Sequence, residues 1–374
     1  MNNRLYNLDA LRFIAAWIVL LCHVEVLKPH FGIVPYTSRF FVNSAQLAVT
    51  FFFVLSGFLI TWLLLAEKRK NEQQKINVWR FYSKRILRIL PLYYFLILLC
   101  FFLLNQISFF SEAIHTNYFN GTKHHTALVY YLLFLPNYSE FCFGAPVYVG
   151  QVWSLGVEEF FYLFFPIAIY FIPLRRISFF LVFSSIIFII ASILIRLTLP
   201  GSSERFEQLL FVYADKYRLY SFTLGGLAAY FYLQTNSIVQ LKQYLSKRYI
   251  SYALLIFTAS LIMIGRTFSV VTQQAYSILF SVLLLSVLLS GIKPWFLNNR
   301  VAVYLGKISY GIYMLHAIAI VIVLKAFYPA ISTGVQWVDS IAIYLSATIL
   351  TIIIAMLSWH FYEKFFLRFR TKNK

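Results

Sequence analysis

Charge is what this sequence has least of. Of 374 residues only 12% are Asp, Glu, Lys or Arg, where an ordinary soluble domain carries roughly a quarter. A chain so poor in charge cannot clothe a water-exposed globule in polar groups, so a soluble enzyme is excluded. The 61% hydrophobic content excludes a disordered chain as well. Cysteine is also scarce: Cys22, Cys100 and Cys142 lie far apart with no C-x-x-C pair, which leaves neither a disulfide framework nor a metal site to expect. No phosphate-binding loop, G-x-S-x-G elbow or dinucleotide fingerprint occurs in the sequence.

What fills the chain instead is long apolar runs. Aromatic residues supply 20% of it, with 40 Phe and 27 Tyr, and the mean hydropathy is +0.74. Stretches of about 17–25 apolar residues mark membrane helices. Such stretches fall near 8–28, 44–66, 86–105, 151–173, 177–199, 218–234, 250–268, 272–292, 304–327 and 339–362. The run 127–136 is too short to cross and reads as an interfacial or re-entrant piece. The first run carries Asp9 and Arg12 and lacks a small-residue cleavage site, so it reads as a retained helix and not a signal peptide. The expected fold is an all-α polytopic bundle of about ten transmembrane helices, with residues 1–374 forming one integral-membrane domain.

Acids are scarcer than bases: 13 Asp and Glu face 32 Lys and Arg, for a net charge of +19. In a soluble protein that excess would suggest nucleic acid. Here the positions of the charges decide otherwise. With the N-terminus inside, cytoplasmic segments take 22 of the 32 basic residues, from Arg4 through the cluster Lys68–Arg88 to the tail Lys364–Lys374. That is the positive-inside pattern with both termini cytoplasmic, and no nucleic-acid partner is needed to explain it.

Ionisable groups inside the spans are costly, which makes them informative. In the first span Arg12 and His23 are eleven positions apart. That is roughly three turns, so they share a face about 16 Å apart along the axis, with Asp9 placed to pair with Arg12. A snorkelling Arg with a satisfied core His accounts for these residues as well as a functional pair does. Cys22 adjoins His23, but helix neighbours point about 100° apart, so no thiol–imidazole dyad is expected.

Arg85 and Arg88, one turn apart where the third span begins, suit a phosphate-rich ligand or lipid headgroups. Glu158 and Glu159 sit in a span start that reads Trp153-Ser-Leu-Gly-Val-Glu-Glu159. Two such intramembrane acids are candidates for function, although neighbouring side chains cannot both face one spot. Ser309, Tyr313 and His316 follow at i, i+4 and i+7 on one helix face. This stripe either lines a polar channel or supplies interhelical hydrogen bonds. His115, His124 and His125 lack a metal-ligand spacing and read as solvated loop histidines.

Taken in order, these segments resemble the acyltransferase family 3 of membrane proteins. The resemblance rests on Leu8-Asp9-Ala10-Leu11-Arg12 with His23 after ten intervening residues, and on Phe51-Phe-Phe-Val-Leu-Ser56-Gly57-Phe58. It continues through Arg85-x-x-Arg88-x-x-Pro91, the Trp153–Glu159 segment, and Ser309-Tyr310-Gly311-Ile312-Tyr313 followed by His316. Glu363-Lys364-Phe365 departs from the family's Glu-x-Pro.

The resemblance implies a multi-pass protein of the inner (plasma) membrane that moves an acyl group, commonly acetyl, from cytoplasmic acyl-CoA. The acceptor it implies is a hydroxyl of an extracytoplasmic glycan such as lipopolysaccharide, exopolysaccharide or peptidoglycan. On that footing Arg12, Arg85 and Arg88 hold the acetyl-CoA donor, and His23 acts as general base. Glu158 or Glu159 orients the imidazole, and Trp153, Ser309, Tyr313 and His316 contact substrate. The rival class is a proton-coupled transporter or exporter of a small organic molecule or glycan precursor, which intramembrane Arg, His and Glu would also suit. A carrier of that kind often shows an internal repeat, and none is visible.

Overall fold

The computed structural model describes residues 7–111, 122–144, 146, 148–234 and 239–369. Arg4, the chain beyond Phe369, and the loop residues His115, Tyr118 and Phe119 lie outside them. The described residues form helices and connections, with one isolated bridge between Phe268 and Val270 and no strand.

The helices used below are α1 (Leu8–Leu27), α2 (Arg39–Lys70), α3 (Val78–Leu98), α4 (Thr122–Leu132), α5 (Pro136–Phe143), α6 (Trp153–Phe171), α7 (Ile177–Thr198), α8 (Arg205–Lys216) and α9 (Leu219–Leu233). They continue with α10 (Val239–Leu245), α11 (Arg248–Ile264), α12 (Thr272–Ser290), α13 (Arg300–Lys307), α14 (Ser309–Ile322) and α15 (Gln336–Leu357). Among the described residues eight helices are long and apolar enough to cross a membrane, and a ninth arises if α10 and α11, bent by 68° where they meet, count as one broken span.

The count falls short of ten for a physical reason. The stretch 218–234 does form a helix, α9, but its 15 residues reach only about 22 Å, against a hydrocarbon core of about 30 Å. Tyr220, Phe222, Ala228 and Ala229 are all buried inside the protein. Apolar sequence is spent here on a protein core as readily as on lipid.

The chain divides into two compact units. The first comprises residues 1–8, 46–78 and 157–298. Within it α9 packs against both α7 and α12. A Cβ at Gly57 would run into the Phe222 main chain, and one at Gly225 into the Val54 main chain. The two glycines therefore let α2 and α9 meet backbone to backbone, the usual basis of tight helix pairs in membranes. Phe53 and Phe161 stack on Phe222 with ring centroids 4.7 and 4.4 Å away. Lys68, buried at the end of α2, donates to the carbonyls of Ile169, Tyr170 and Ile172. It thereby satisfies the open carbonyls at the end of α6, where the helix dipole favours a cation.

The second unit comprises residues 9–45, 79–156 and 299–374. Here α14 is buried almost throughout and packs along α15. The start of α1 sits against α13 so closely that a Cβ at Gly306 would overlap the Asp9 main chain. At the other end of α1, Lys28 and Glu25 form a buried ion pair of 2.6 Å. Lys28 also donates to Ser340 at 2.8 Å, and Glu25 accepts from the Tyr36 backbone N–H and the Tyr344 hydroxyl. This network ties the last turn of α1 to α15.

Candidate functional site

The second unit brings His23 and His316 together, 293 positions apart in the chain. His23 Nδ1 lies 2.6 Å from His316 Nε2, and His316 Nδ1 lies 2.7 Å from the Tyr313 carbonyl oxygen. The two rings are within 10° of parallel. A nitrogen separation of 2.6 Å is too short for stacked faces, which rest about 3.5–4.0 Å apart. The contact is therefore an edge-to-edge hydrogen bond between nearly coplanar imidazoles.

The protons follow from the partners, as they must where hydrogens are inferred from the network. A carbonyl only accepts, so His316 Nδ1 carries a proton, and in a neutral ring its Nε2 is an acceptor. His23 Nδ1 is then the donor to it, which leaves the lone pair of a neutral His23 on Nε2. That nitrogen has no hydrogen-bond partner among the described residues. His23 is partly accessible, whereas His316 has no exposed surface.

The other predicted residues of this unit fall into place around α1 and α14. Arg12 pairs with Asp9 at 3.2 Å, and both side chains are about a quarter exposed. The eleven-residue spacing on one continuous helix keeps Arg12 and His23 about 16 Å apart along its axis. Tyr313 is buried; its hydroxyl donates to the Gln151 carbonyl at 3.0 Å and meets Ser154 Oγ at 2.7 Å. Gln151 in turn donates to the Met314 carbonyl at 2.8 Å. Ser309, at the start of α14, donates to the Gly306 carbonyl of the preceding α13. Of the two roles open to the stripe, Tyr313 and His316 make the interhelical hydrogen bonds.

Trp153 begins α6, and its carbonyl accepts from Asn137. Arg85 and Arg88 are half-buried on α3. The Arg85 guanidinium lies 5.6 Å from the Phe81 ring centroid, and Arg88 is near enough to act on the charge of Glu363.

Glu158 and Glu159 belong to the first unit. There Glu158 accepts from the Tyr162 hydroxyl at 2.5 Å and from Ser56 Oγ at 3.3 Å, while Tyr162 and Ser56 lie 3.1 Å apart. Ser56 thus joins two of the quoted segments, a role the sequence hid, since a hydroxyl in an apolar run is commonplace.

One expectation is corrected outright. His124 is not a solvated loop histidine: it is buried on α4 with its ring centroid 5.1 Å from that of Phe101. Burial and the neighbouring His125 hold its imidazole below the ordinary histidine range. His125 is exposed, as expected.

With this geometry in hand, comparison with known proteins is decisive as to family. A family model described as an acyltransferase domain, that of acyltransferase family 3, matches residues 5–360. The chain belongs to acyltransferase family 3. O-acetyltransferase OatA of Staphylococcus aureus is 26% identical over 376 residues, covering 96% of this chain and 56% of that protein. Peptidoglycan O-acetyltransferase OatA of Listeria monocytogenes is 28% identical over 161 residues, which is 43% of this chain and 23% of the relative. The chain thus spans little more than half the length of the Staphylococcus aureus relative. No solved structure matches it. Family membership and the long apolar helices together make this a multi-pass membrane acyltransferase domain.

Proposed function

We propose that this protein moves an acetyl group from cytoplasmic acetyl-CoA to a hydroxyl of an extracytoplasmic glycan, in the inner (plasma) membrane with both termini cytoplasmic. The single observation that carries the reading is the Nε2 of His23: on a partly accessible residue, it takes no protein hydrogen bond among the described residues and bears the lone pair. A base so prepared, in a chain of acyltransferase family 3, is suited to deprotonate an acceptor hydroxyl as it attacks a thioester. The hydroxyl proton goes to His23, the new bond forms between acceptor oxygen and acetyl carbon, and the carbon–sulfur bond breaks. The proton then passes to the departing coenzyme A thiolate.

Arg12, on the same helix, and Arg85 with Arg88 on α3 are cations fitted to the phosphates of the donor. Glu158 and Glu159 remain candidate catalytic carboxylates, and Trp153, Ser309 and Tyr313 candidate shapers of the substrate path. The acceptor is proposed by analogy with the peptidoglycan O-acetyltransferase of Listeria.

The test is a comparison of O-acetyl esters on surface polysaccharides among cells expressing the protein, cells lacking it, and cells expressing His23→Ala at equal membrane levels. The expected result is ester in the first set alone. Full ester content with His23→Ala would overturn the reading.

A further inference from the structure

His316 was expected to contact substrate, but both of its ring nitrogens are spent inside the protein: Nδ1 on the Tyr313 carbonyl and Nε2 on His23. We infer that His316 is a positioning residue that fixes the tautomer and aim of the His23 imidazole, doing with a neutral ring what an aspartate does in a serine-hydrolase triad. The inference rests on the proposed role of His23 as base and goes beyond it in saying what makes His23 fit for that role.

Three features support it. The chain of hydrogen bonds has one direction, because it ends on a carbonyl that cannot donate. The near-coplanarity of the rings, 10° apart, restrains rotation of the His23 ring about its Cβ–Cγ bond. Finally, His316 is held from both sides: it has no exposed surface, and Tyr313, which supplies the carbonyl, is itself anchored by its hydroxyl to Gln151 and Ser154.

A neutral partner differs from a carboxylate in a way that matters for chemistry. When His23 takes the hydroxyl proton at Nε2, its Nδ1 proton can pass along the 2.6 Å contact to His316 Nε2. The pair then holds one added proton between two rings, with Tyr313 still accepting from His316 Nδ1. No further acceptor or oxidant is required, and the proton returns by the same route to the leaving thiolate.

Without His316, a neutral His23 is free to carry its proton on Nε2, where it cannot act as a base. The comparable loss in a hydrolase triad, through the wrong tautomer, is severe. Leucine at position 316 should therefore lower kcat by about 10²- to 10⁴-fold, the usual worth of a positioned general base, with KM for acetyl-CoA nearly unchanged. His316→Gln is the conservative rescue. Its amide oxygen can accept from His23 Nδ1–H, so it should restore most of kcat.

The deciding experiment is solid-state ¹⁵N NMR of the full-length protein labelled at its seven histidines in lipid nanodiscs, with His23→Asn used to assign the His23 signals. The wild type should show an unprotonated Nε2 and a protonated Nδ1 at His23. His316→Gln should keep that pattern, and His316→Leu should lose or mix it. A wild-type His23 protonated at Nε2, or a pattern unmoved by His316→Leu, would overturn the inference, and the wild-type spectrum alone decides if the leucine variant fails to fold. These spectra are read without turnover. A wild type that shows the expected tautomer yet leaves acetyl-CoA intact therefore removes the proposed function while upholding the positioning role.

Discussion

A carbonyl oxygen can accept a hydrogen bond but never donate one, and that property of Tyr313 propagates through His316 to the far nitrogen of His23. On the proposed reading, the readiness of His23 as a base rests on two imidazoles and one backbone oxygen. Arg85 and Arg88 belong to the same scale. Each is expected to contact a phosphate of the donor, and a hydrogen bond to a charged group is worth about 1.5–3 kcal/mol. Substituting either by Gln should therefore raise KM for acetyl-CoA by about 10- to 100-fold and leave kcat within a few-fold. Steady-state kinetics on the purified variants checks this, and a loss confined to kcat would assign them elsewhere. Arg12, Arg85, Arg88, His23, Glu158 and Glu159 stood out in the sequence because ionisable groups are conspicuous in apolar surroundings. The partnership of His23 with His316 could not be read there, since 293 positions separate them and no local spacing encodes a contact across helices.

At the scale of elements, α1 is held at both ends. Near its start, Gly306 on α13 leaves no room for a Cβ against the Asp9 main chain. Gly306→Ala should push the first turn of α1 away, at the cost typical of overpacking, about 1–3 kcal/mol. Because Arg12 rides on that turn, donor affinity should fall together with the thermal midpoint in detergent; an unchanged midpoint and KM would contradict the packing. At its end, Lys28 and Glu25 form a pair with 0% and 4% side-chain exposure. Removing one partner of a buried pair strands the other charge, commonly at 3–5 kcal/mol. Lys28→Met should therefore lower the unfolding midpoint sharply, and the double variant Lys28→Met/Glu25→Gln should recover much of the loss. Equal destabilisation by the single and double variants, measured by thermal denaturation, would show that the pair is not the stabilising contact.

For the molecule as a whole, the scarcity of charge led directly to an all-helical membrane protein, and the ordered segments led to its family. The number of spans was less legible. Hydropathy records that a segment avoids water but not how long a helix it forms, so 218–234 read as a crossing although α9 has only 15 residues. His124 was illegible too: a loop position suggested that it was solvated, and it packs against Phe101.

The central claim, acyl transfer from acetyl-CoA to a glycan hydroxyl with His23 as base, is tested most directly in proteoliposomes given [¹⁴C]acetyl-CoA and a glycan acceptor. The account predicts that label moves from coenzyme A to the glycan as an alkali-labile ester with the wild type. His23→Ala, inserted to the same level, should lower that rate by about 10²- to 10⁴-fold. Label that crosses the membrane with its thioester intact, or transfer at the wild-type rate by His23→Ala, would contradict it.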